Sequence, residues 1–151
     1  AAYLKARLAT ELPVPTEGGV YITVKNADKY DVIPLAQELE EMGFTIYATR
    51  GTSHVLRDSG GVDVQTCYRI TEGLTPDALD LMRQGKIHLI INTPRNTGGA
   101  GLDGNMMRRL AVELNIPFVT TMAGARMEVR AIDEAMQGMP EPRLLKIATL
   151  G

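Results

Sequence analysis

The 151-residue chain contains one cysteine and two histidines. Cys67 alone cannot build a disulfide framework or a multi-cysteine zinc site. With His54 and His88 as the remaining soft ligands, little material is left for a transition-metal centre. A basic excess is also missing. Sixteen Lys and Arg stand against eighteen Asp and Glu, a formal net charge of -2, and that balance lacks the cationic surface that sequence-independent nucleic-acid binding needs. No apolar run approaches the roughly 20 residues of a membrane span, and the opening residues lack the basic-then-apolar order of a leader. Ala1 stands where an initiator Met would, as expected of a processed chain or of a piece of a longer one. What is present is 44 % hydrophobic and 23 % charged residues, the composition of an ordinary cytoplasmic globular domain with a sizeable core.

The first 17 residues read differently from the rest. Ala1 to Leu12 suits a short helix, and Pro13-Val14-Pro15 then enforces an extended path, because proline bars helix in the residue before it. Residues 1–17 therefore read as a linker or docking arm, and 18–151 as the domain. From Val20 onward, strand and helix alternate. Val20–Val24, Phe44–Ala48, Val62–Cys67, Ile87–Ile91 and Pro117–Thr121 are short, apolar or β-branched runs and read as strands. Between them, Val32 to Met42, Thr52 to Ser59, Pro76 to Gln84 (Thr75 as N-cap), Asn105 to Leu114 and Gly124 to Met136 read as helices. Arg143 to Ala148 suits a last edge strand, and Gly98 to Gly104 a glycine-rich surface loop. The alternation predicts a parallel sheet covered on both faces.

Ligands of such sheets bind at the carboxyl ends of the strands. Those ends carry Lys25, Asn26, Asp28 and Lys29, then Thr49-Arg50-Gly51-Thr52-Ser53, then Asn92-Thr93-Pro94-Arg95-Asn96-Thr97. Hydroxyls, cations and helix-start amides gathered at one edge suit an anionic group, most simply a phosphate. Thr49 to Ser53 reads equally as a capped helix start, with Thr52 or Ser53 as the cap. Gly98 to Gly104 fits neither the P-loop nor the dinucleotide fingerprint. Cys67 reads as a small buried apolar residue and the two histidines as structural or surface groups, so no catalytic residue is expected.

Ile22-Thr23-Val24 with Asp28-Lys29, Gly43-Phe44 through Ala48-Thr49-Arg50-Gly51-Thr52, Glu72-Gly73, Ile90-Ile91-Asn92-Thr93 and Met107-Arg108-Arg109 together resemble the methylglyoxal-synthase-like domain. More narrowly, they resemble its form at the C-terminus of the carbamoyl-phosphate synthase large chain. The opening Ala2 to Ala6 and Leu12 to Gly18 are similar to the connection from that chain's preceding synthetase domain. The resemblance implies a doubly wound, three-layer α/β/α unit with five mainly parallel strands. It implies a regulatory domain that binds a nucleotide effector of the UMP or IMP type and tunes carbamoyl phosphate synthesis for pyrimidine and arginine biosynthesis. No cofactor is implied in the domain itself, ATP with Mg or Mn belonging to the rest of the synthetase. Implied partners are the preceding domains and the glutaminase small chain. Phosphate and ribose contacts carry over to Thr23, Lys29, Thr49, Thr52 and Asn92. Arg69 stands where relatives have Lys, and Arg50, Thr93 and Pro94 lie around the same pocket.

Methylglyoxal synthases, which eliminate phosphate from dihydroxyacetone phosphate, need carboxylates beside the phosphate. This chain has Asn26, Thr75, Arg95 and Asn105 at the corresponding places, leaving Asp103. The Lys-Thr-Leu-His-Pro signature of the related cyclohydrolases is absent. Val119 precedes Thr120-Thr121 where ornithine-binding members carry an acid, so no ornithine site is expected.

Overall fold

A computed structural model describes residues 12–94 and 98–138 of the chain. Five strands, β1 (Gly19–Thr23), β2 (Thr45–Thr49), β3 (Val64–Cys67), β4 (Leu89–Asn92) and β5 (Phe118–Val119), pair in the order β3-β2-β1-β4-β5. Every pairing is parallel. Five helices connect or follow them: α1 (Ile33–Glu41), α2 (Arg50–Gly60), α3 (Ala78–Arg83), α4 (Gly98–Leu114) and α5 (Met122–Gln137). Single 3₁₀ turns lie at Asn26–Asp28 and Ile70–Glu72.

Alternation along the strands divides the core in two. Val20, Ile22, Ile46, Ala48, Leu89 and Ile91 face a cluster completed by Leu35 and Leu39 of α1, Leu56 of α2, and Val129 and Ile132 of α5. Tyr21, Cys67 and Ile90 face the other cluster, completed by Leu81 and Met82 of α3 and by Met107 and Ala111 of α4. A sheet buried on both faces explains why its strands are apolar nearly throughout. The result is the three-layer, doubly wound α/β/α architecture. Successive strands run outward from β1 to β3 and then resume on its other side at β4. The switch point lies between β1 and β4.

Several elements begin elsewhere than the sequence pattern suggests. The glycine-rich stretch from Gly98 is not a loop but the first turns of α4. Gly104 serves packing: a Cβ there would lie 2.9 Å from Asn92 Nδ2, so the missing side chain is what lets α4 approach the end of β4. Helix α3 starts after Asp77, not Thr75, because the Asp77 carboxylate accepts the Asp80 amide at 3.0 Å while Asp80 accepts the Asp77 amide at 2.9 Å. This reciprocal box satisfies two donors that Thr75 could not reach. Pro76 thus precedes the cap, after a cis peptide bond. Strand β3 begins two residues later than its pattern, and α5 begins at Met122, with the Thr121 hydroxyl accepting from Gly124 N. Pro34 sits in the first turn of α1, where it costs no hydrogen bond. The segment Ala1 to Glu11 of the suggested N-terminal helix and the suggested strand Arg143 to Ala148 lie outside the described residues. Within the arm, Val14 packs against the first cluster. Among the described residues, no helix is long and apolar enough to cross a membrane.

Gly18 and Gly43 separate two costs. Both have positive φ, +113° and +99°; a Cβ on Gly18 would lie 2.0 Å from His88 Nδ1, whereas one on Gly43 meets nothing within 4 Å. Gly43→Ala should cost about 1–2 kcal/mol, from backbone strain alone. Gly18→Ala should cost at least about 1 kcal/mol more, because it also displaces a ring that accepts the Gly19 amide. Urea unfolding midpoints at unchanged slope check this. Equal losses would mean that the ring gives way freely.

Candidate functional site

The carboxyl ends of β1, β2 and β4 and the segment after β3 surround a cleft of about 210 Å³. Thr23 ends β1, and Lys29 follows the first 3₁₀ turn. Thr49 ends β2, while Arg50 and Thr52 lie in the first turn of α2. Arg69 follows β3, and Asn92 and Thr93 close β4. These eight line one cleft together with Pro94, whereas Lys25, Asn26, Asp28 and Ser53, also named at the strand ends, do not line it.

The hydroxyls are oriented by the backbone around them. Thr52 Oγ1 accepts the Val24 amide at 3.3 Å, and Thr93 Oγ1 accepts the Lys25 amide at 3.0 Å. Each hydroxyl keeps its own proton to donate. Thr23 and Thr49 share a hydrogen bond at 3.3 Å between their Oγ1 atoms. Thr49 occupies the N-cap position of α2 without making the side-chain cap bond, so the first amides of α2 keep their donors for another acceptor. The alternative caps are engaged elsewhere: Thr52 reaches back to β1, and Ser53 pairs with Thr66 at 2.7 Å.

The cations differ in how they are held. Lys29 Nζ donates to Asn26 Oδ1 at 2.7 Å, and a Cβ on Gly51 would sit 2.8 Å from that nitrogen. Gly51 thus leaves room for the ammonium against the start of α2. Arg50 is paired with Glu72 and lies 5.7 Å over the Tyr68 ring. Glu72 also accepts the Arg69 amide at 3.0 Å. Arg69 Nε stands 3.9 Å from Asp103 Oδ2, a loose ion pair.

Gly51 also lines the cleft, as do Tyr21, Ile70, Asp103 and Met107, four residues that the sequence reading did not select as contacts. Tyr21 is two residues from Thr23 and therefore on its face of β1. Asp103 and Met107 are one turn apart on α4, a spacing concealed by reading the glycines as a loop. Beneath the cleft, burial pushes the Tyr21 phenol well above its usual range, and neighbouring Cys67, Asp103 and Asp77 add to the rise. Burial likewise raises the Cys67 thiol to about 11; the Tyr21 hydroxyl opposes the rise and Asp77 reinforces it. Cys67 is 4 % exposed and donates to Ala48 O at 3.5 Å. It is a protonated core residue and not a nucleophile.

The histidines lie apart. His54 pairs with Asp58 on the exposed face of α2, and His88 lines a separate cleft with Glu17, Gly18, Thr45 and Lys86 at the amino edge of the sheet. Among the described residues, no group of three or more His, Cys, Asp or Glu could hold a metal ion.

Donors gathered at the switch point of a doubly wound parallel sheet define a class: an α/β domain with a donor-rich cleft at its strand ends. Residues 31–120 match the model of the MGS-like domain, and the chain belongs to that family. It is 44 % identical over 137 residues (91 % of this chain) to the carbamoyl phosphate synthase large chain, C-terminal section, of Methanocaldococcus jannaschii. It is 43 % identical over 133 residues (88 % of this chain) to the section of the same name from Methanopyrus kandleri. A carbamoyl phosphate synthase large chain from Methanothermobacter thermautotrophicus is 39 % identical over 137 residues, again 91 % of this chain. The chain spans only 22 %, 24 % and 12 % of the lengths of these three relatives. A methylglyoxal synthase from Elizabethkingia anophelis superposes with a TM-score of 0.59 at 18 % identity, covering 77 % of this chain and 79 % of that one. At that identity the likeness establishes the fold alone.

Tyr21 and Cys67 also set an alkaline limit. Both are more strongly protonated when folded than when unfolded, so their contribution is complete below the unfolded values and disappears as pH rises through the folded ones. Stability should be flat with respect to these groups below pH 9.0 and fall between 9.0 and about 11, where the Cys67 thiol ionises in the unfolded chain and stays protonated in the fold. In Cys67→Ala the fall should begin at higher pH, where Tyr21 alone titrates. Urea midpoints measured across that range check the order.

Proposed function

We propose that the chain is the regulatory domain of a carbamoyl-phosphate synthase large chain and that its cleft takes a nucleoside monophosphate of the UMP or IMP type. The observation that carries this reading is the convergence of Thr23, Thr49, Thr52, Asn92 and Thr93 with Lys29, Arg50 and Arg69 on one cleft at the start of α2. In this reading Lys29 and Arg69 offset the phosphate charge. Thr49, Thr52 and the first amides of α2 donate to its oxygens, and Thr23, Asn92 and Thr93 complete the wall around the sugar. Arg50 stands at the rim. The name of these relatives supports placing the domain in the synthetase. The effector would tune carbamoyl phosphate synthesis for pyrimidine and arginine biosynthesis in the cytoplasm. ATP, Mg or Mn and the glutaminase small chain would act on the rest of that enzyme, with residues 1–17 as the arm leading from its preceding domain.

The fold neighbour raises a second reading, a phosphate lyase acting on dihydroxyacetone phosphate. Proton abstraction beside a phosphate needs a positioned base. The sole carboxylate among the described residues lining the cleft is Asp103, which faces Arg69. One carboxylate does not replace a base and shuttle set. Incubation with dihydroxyacetone phosphate should yield no methylglyoxal above the protein-free control. Turnover on the order of 1 per second would overturn the regulatory reading.

Calorimetry with UMP and IMP tests binding directly. A charge-assisted hydrogen bond contributes roughly 1.5–3 kcal/mol, so Lys29→Ala should weaken the tighter nucleotide about tenfold or more and leave the melting temperature nearly unchanged. Thr52→Ala should weaken binding and also destabilise, by about 1–3 kcal/mol, because it strands the buried Val24 amide. Unaltered affinity in the double variant would move the site elsewhere.

A further inference from the structure

Helix α5 is buried over more of its circumference than the core accounts for. Met122, Ala125, Val129 and Ile132 face the first cluster, the stripe expected of a helix lying on a sheet. Ala131 is 2 % exposed yet belongs to neither cluster of the described residues, and Glu128, three positions before it, is 0 % exposed. On the other flank of the stripe, Arg126, Arg130, Asp133 and Gln137 are exposed. The extra burial is therefore one-sided, and it encloses a carboxylate. A carboxylate taken out of water needs a cation or several donors, and Glu128 does make a polar contact. Its own helix supplies no cation for it. The residues three and four positions away are Gly124, Ala125, Ala131 and Ile132, and Arg126 and Arg130, two positions away, project in other directions.

We propose that residues 1–11 dock along this flank of α5 and that the Lys5 ammonium pairs with the Glu128 carboxylate. The place where the arm joins the domain favours this segment. Val14 packs on the same cluster as α5, and Leu12 is half-buried. The arm enters β1 at the amino edge of the sheet, and α5, which starts at the carboxyl end of β5, runs back to that edge. Length agrees as well. Eleven residues in the helix that their sequence suits span roughly 16 Å, and Glu128 lies roughly 14 Å along α5 from Gln137. Chemistry completes the match. Helical spacing sets Leu4, Leu8 and Leu12 in one stripe with Lys5 at its border, an apolar strip for Ala131 and a cation for Glu128. A lysine stem can follow apolar surface to such a pair. The rival occupant is the tail, residues 139–151, but it leaves α5 through the exposed Gln137 and Gly138. The docking is independent of the nucleotide reading; joined to it, α5 becomes the element through which the arm and the domain move together.

The test uses the 151-residue chain without nucleotide. Lysines are acylated with acetic anhydride and located by mass spectrometry, and stability is read by urea unfolding. In the unaltered chain Lys5 should react at least about tenfold more slowly than the exposed Lys86. Glu128→Gln should remove most of that protection. Lys5→Met and Glu128→Gln should each lower the folding equilibrium constant about tenfold to a hundredfold, the value of a hydrogen bond to a charged group. Combining them should add less than about twofold to either alone, as expected of partners in one pair. A Lys5 that reacts as fast as Lys86 in the unaltered chain overturns the proposal, and this comparison decides even where Glu128→Gln does not fold. Additive losses in the double variant also overturn it. Coupling of Glu128 to Arg143 or Lys146 in the same cycle, with none to Lys5, overturns it and assigns the flank to the tail.

Discussion

Register between β1 and its two neighbours is the constraint on which the cleft depends. Ile22 pairs with Ala48 and with Ile91, and Thr23 pairs with Asn92, so the next rung on the β2 side sets Thr23 beside Thr49. Neighbouring strands lie about 4.8 Å apart, which places three polar side chains in one row on one face. Val20, Ile22, Leu89 and Ile91 are fully buried, and it is their burial that fixes this register. A slip of one residue would send each side chain to the opposite core cluster and carry the polar row to the other face with it. Packing energy and site geometry are therefore the same quantity seen from opposite ends of the strands.

Backbone satisfaction ties the site to the fold a second time. The loop leaving β1 finds its hydrogen bonds in cleft residues: Val24 donates to Thr52, Lys25 to Thr93, and Thr93 N to Thr23 O at 3.2 Å. An unmade bond of this kind costs about 1–3 kcal/mol when buried. The hydroxyls are thus held in one orientation before any ligand arrives. The cations are not held this way. Lys29 and Arg50 reach the cleft on long side chains, anchored by Asn26 and by Glu72 and Tyr68. The two groups of residues divide the work: a rigid floor of donors and a rim of adjustable charge.

The strand–helix alternation was legible because each strand is short, apolar and bounded by polar or glycine-containing turns. Once the alternation was read, Lys29, Thr49, Arg50, Thr52, Asn92 and Thr93 followed from their positions after the strands, whereas Thr23 and Arg69 came only from the family resemblance. What escaped depends on tertiary context. Gly98 to Gly104 has the composition of a loop, yet helix wins there because Met107 and Ala111 bury one face of α4 and Gly104 permits close approach. Asp103 was seen as a remnant carboxylate because its surroundings belong to that same unread turn of helix. The start of α3 was misplaced because Thr75 and Asp77 are both acceptable caps by type, and the choice is made by the reciprocal bond with Asp80.

Charge balance gives the last step. Lys29, Arg50 and Arg69 line one small cleft, and two like charges about 6 Å apart repel by roughly 3 kcal/mol at an effective dielectric near 20. A cleft that kept three cations without anions would be destabilised whenever empty. Glu72 and Asp103 offset that repulsion differently. Glu72 sits at the exposed rim, engages Arg50 fully and also receives the Arg69 amide. Such an exposed pair is worth little and exchanges readily for a better acceptor. Asp103 stands deeper, close enough to Arg69 to temper its charge and too far to consume its donors. The fold thus keeps these cations together without committing the guanidinium of Arg69 to a close partner. In the regulatory reading, occupancy of the cleft would act on a larger protein through contacts that differ between the bound and free states.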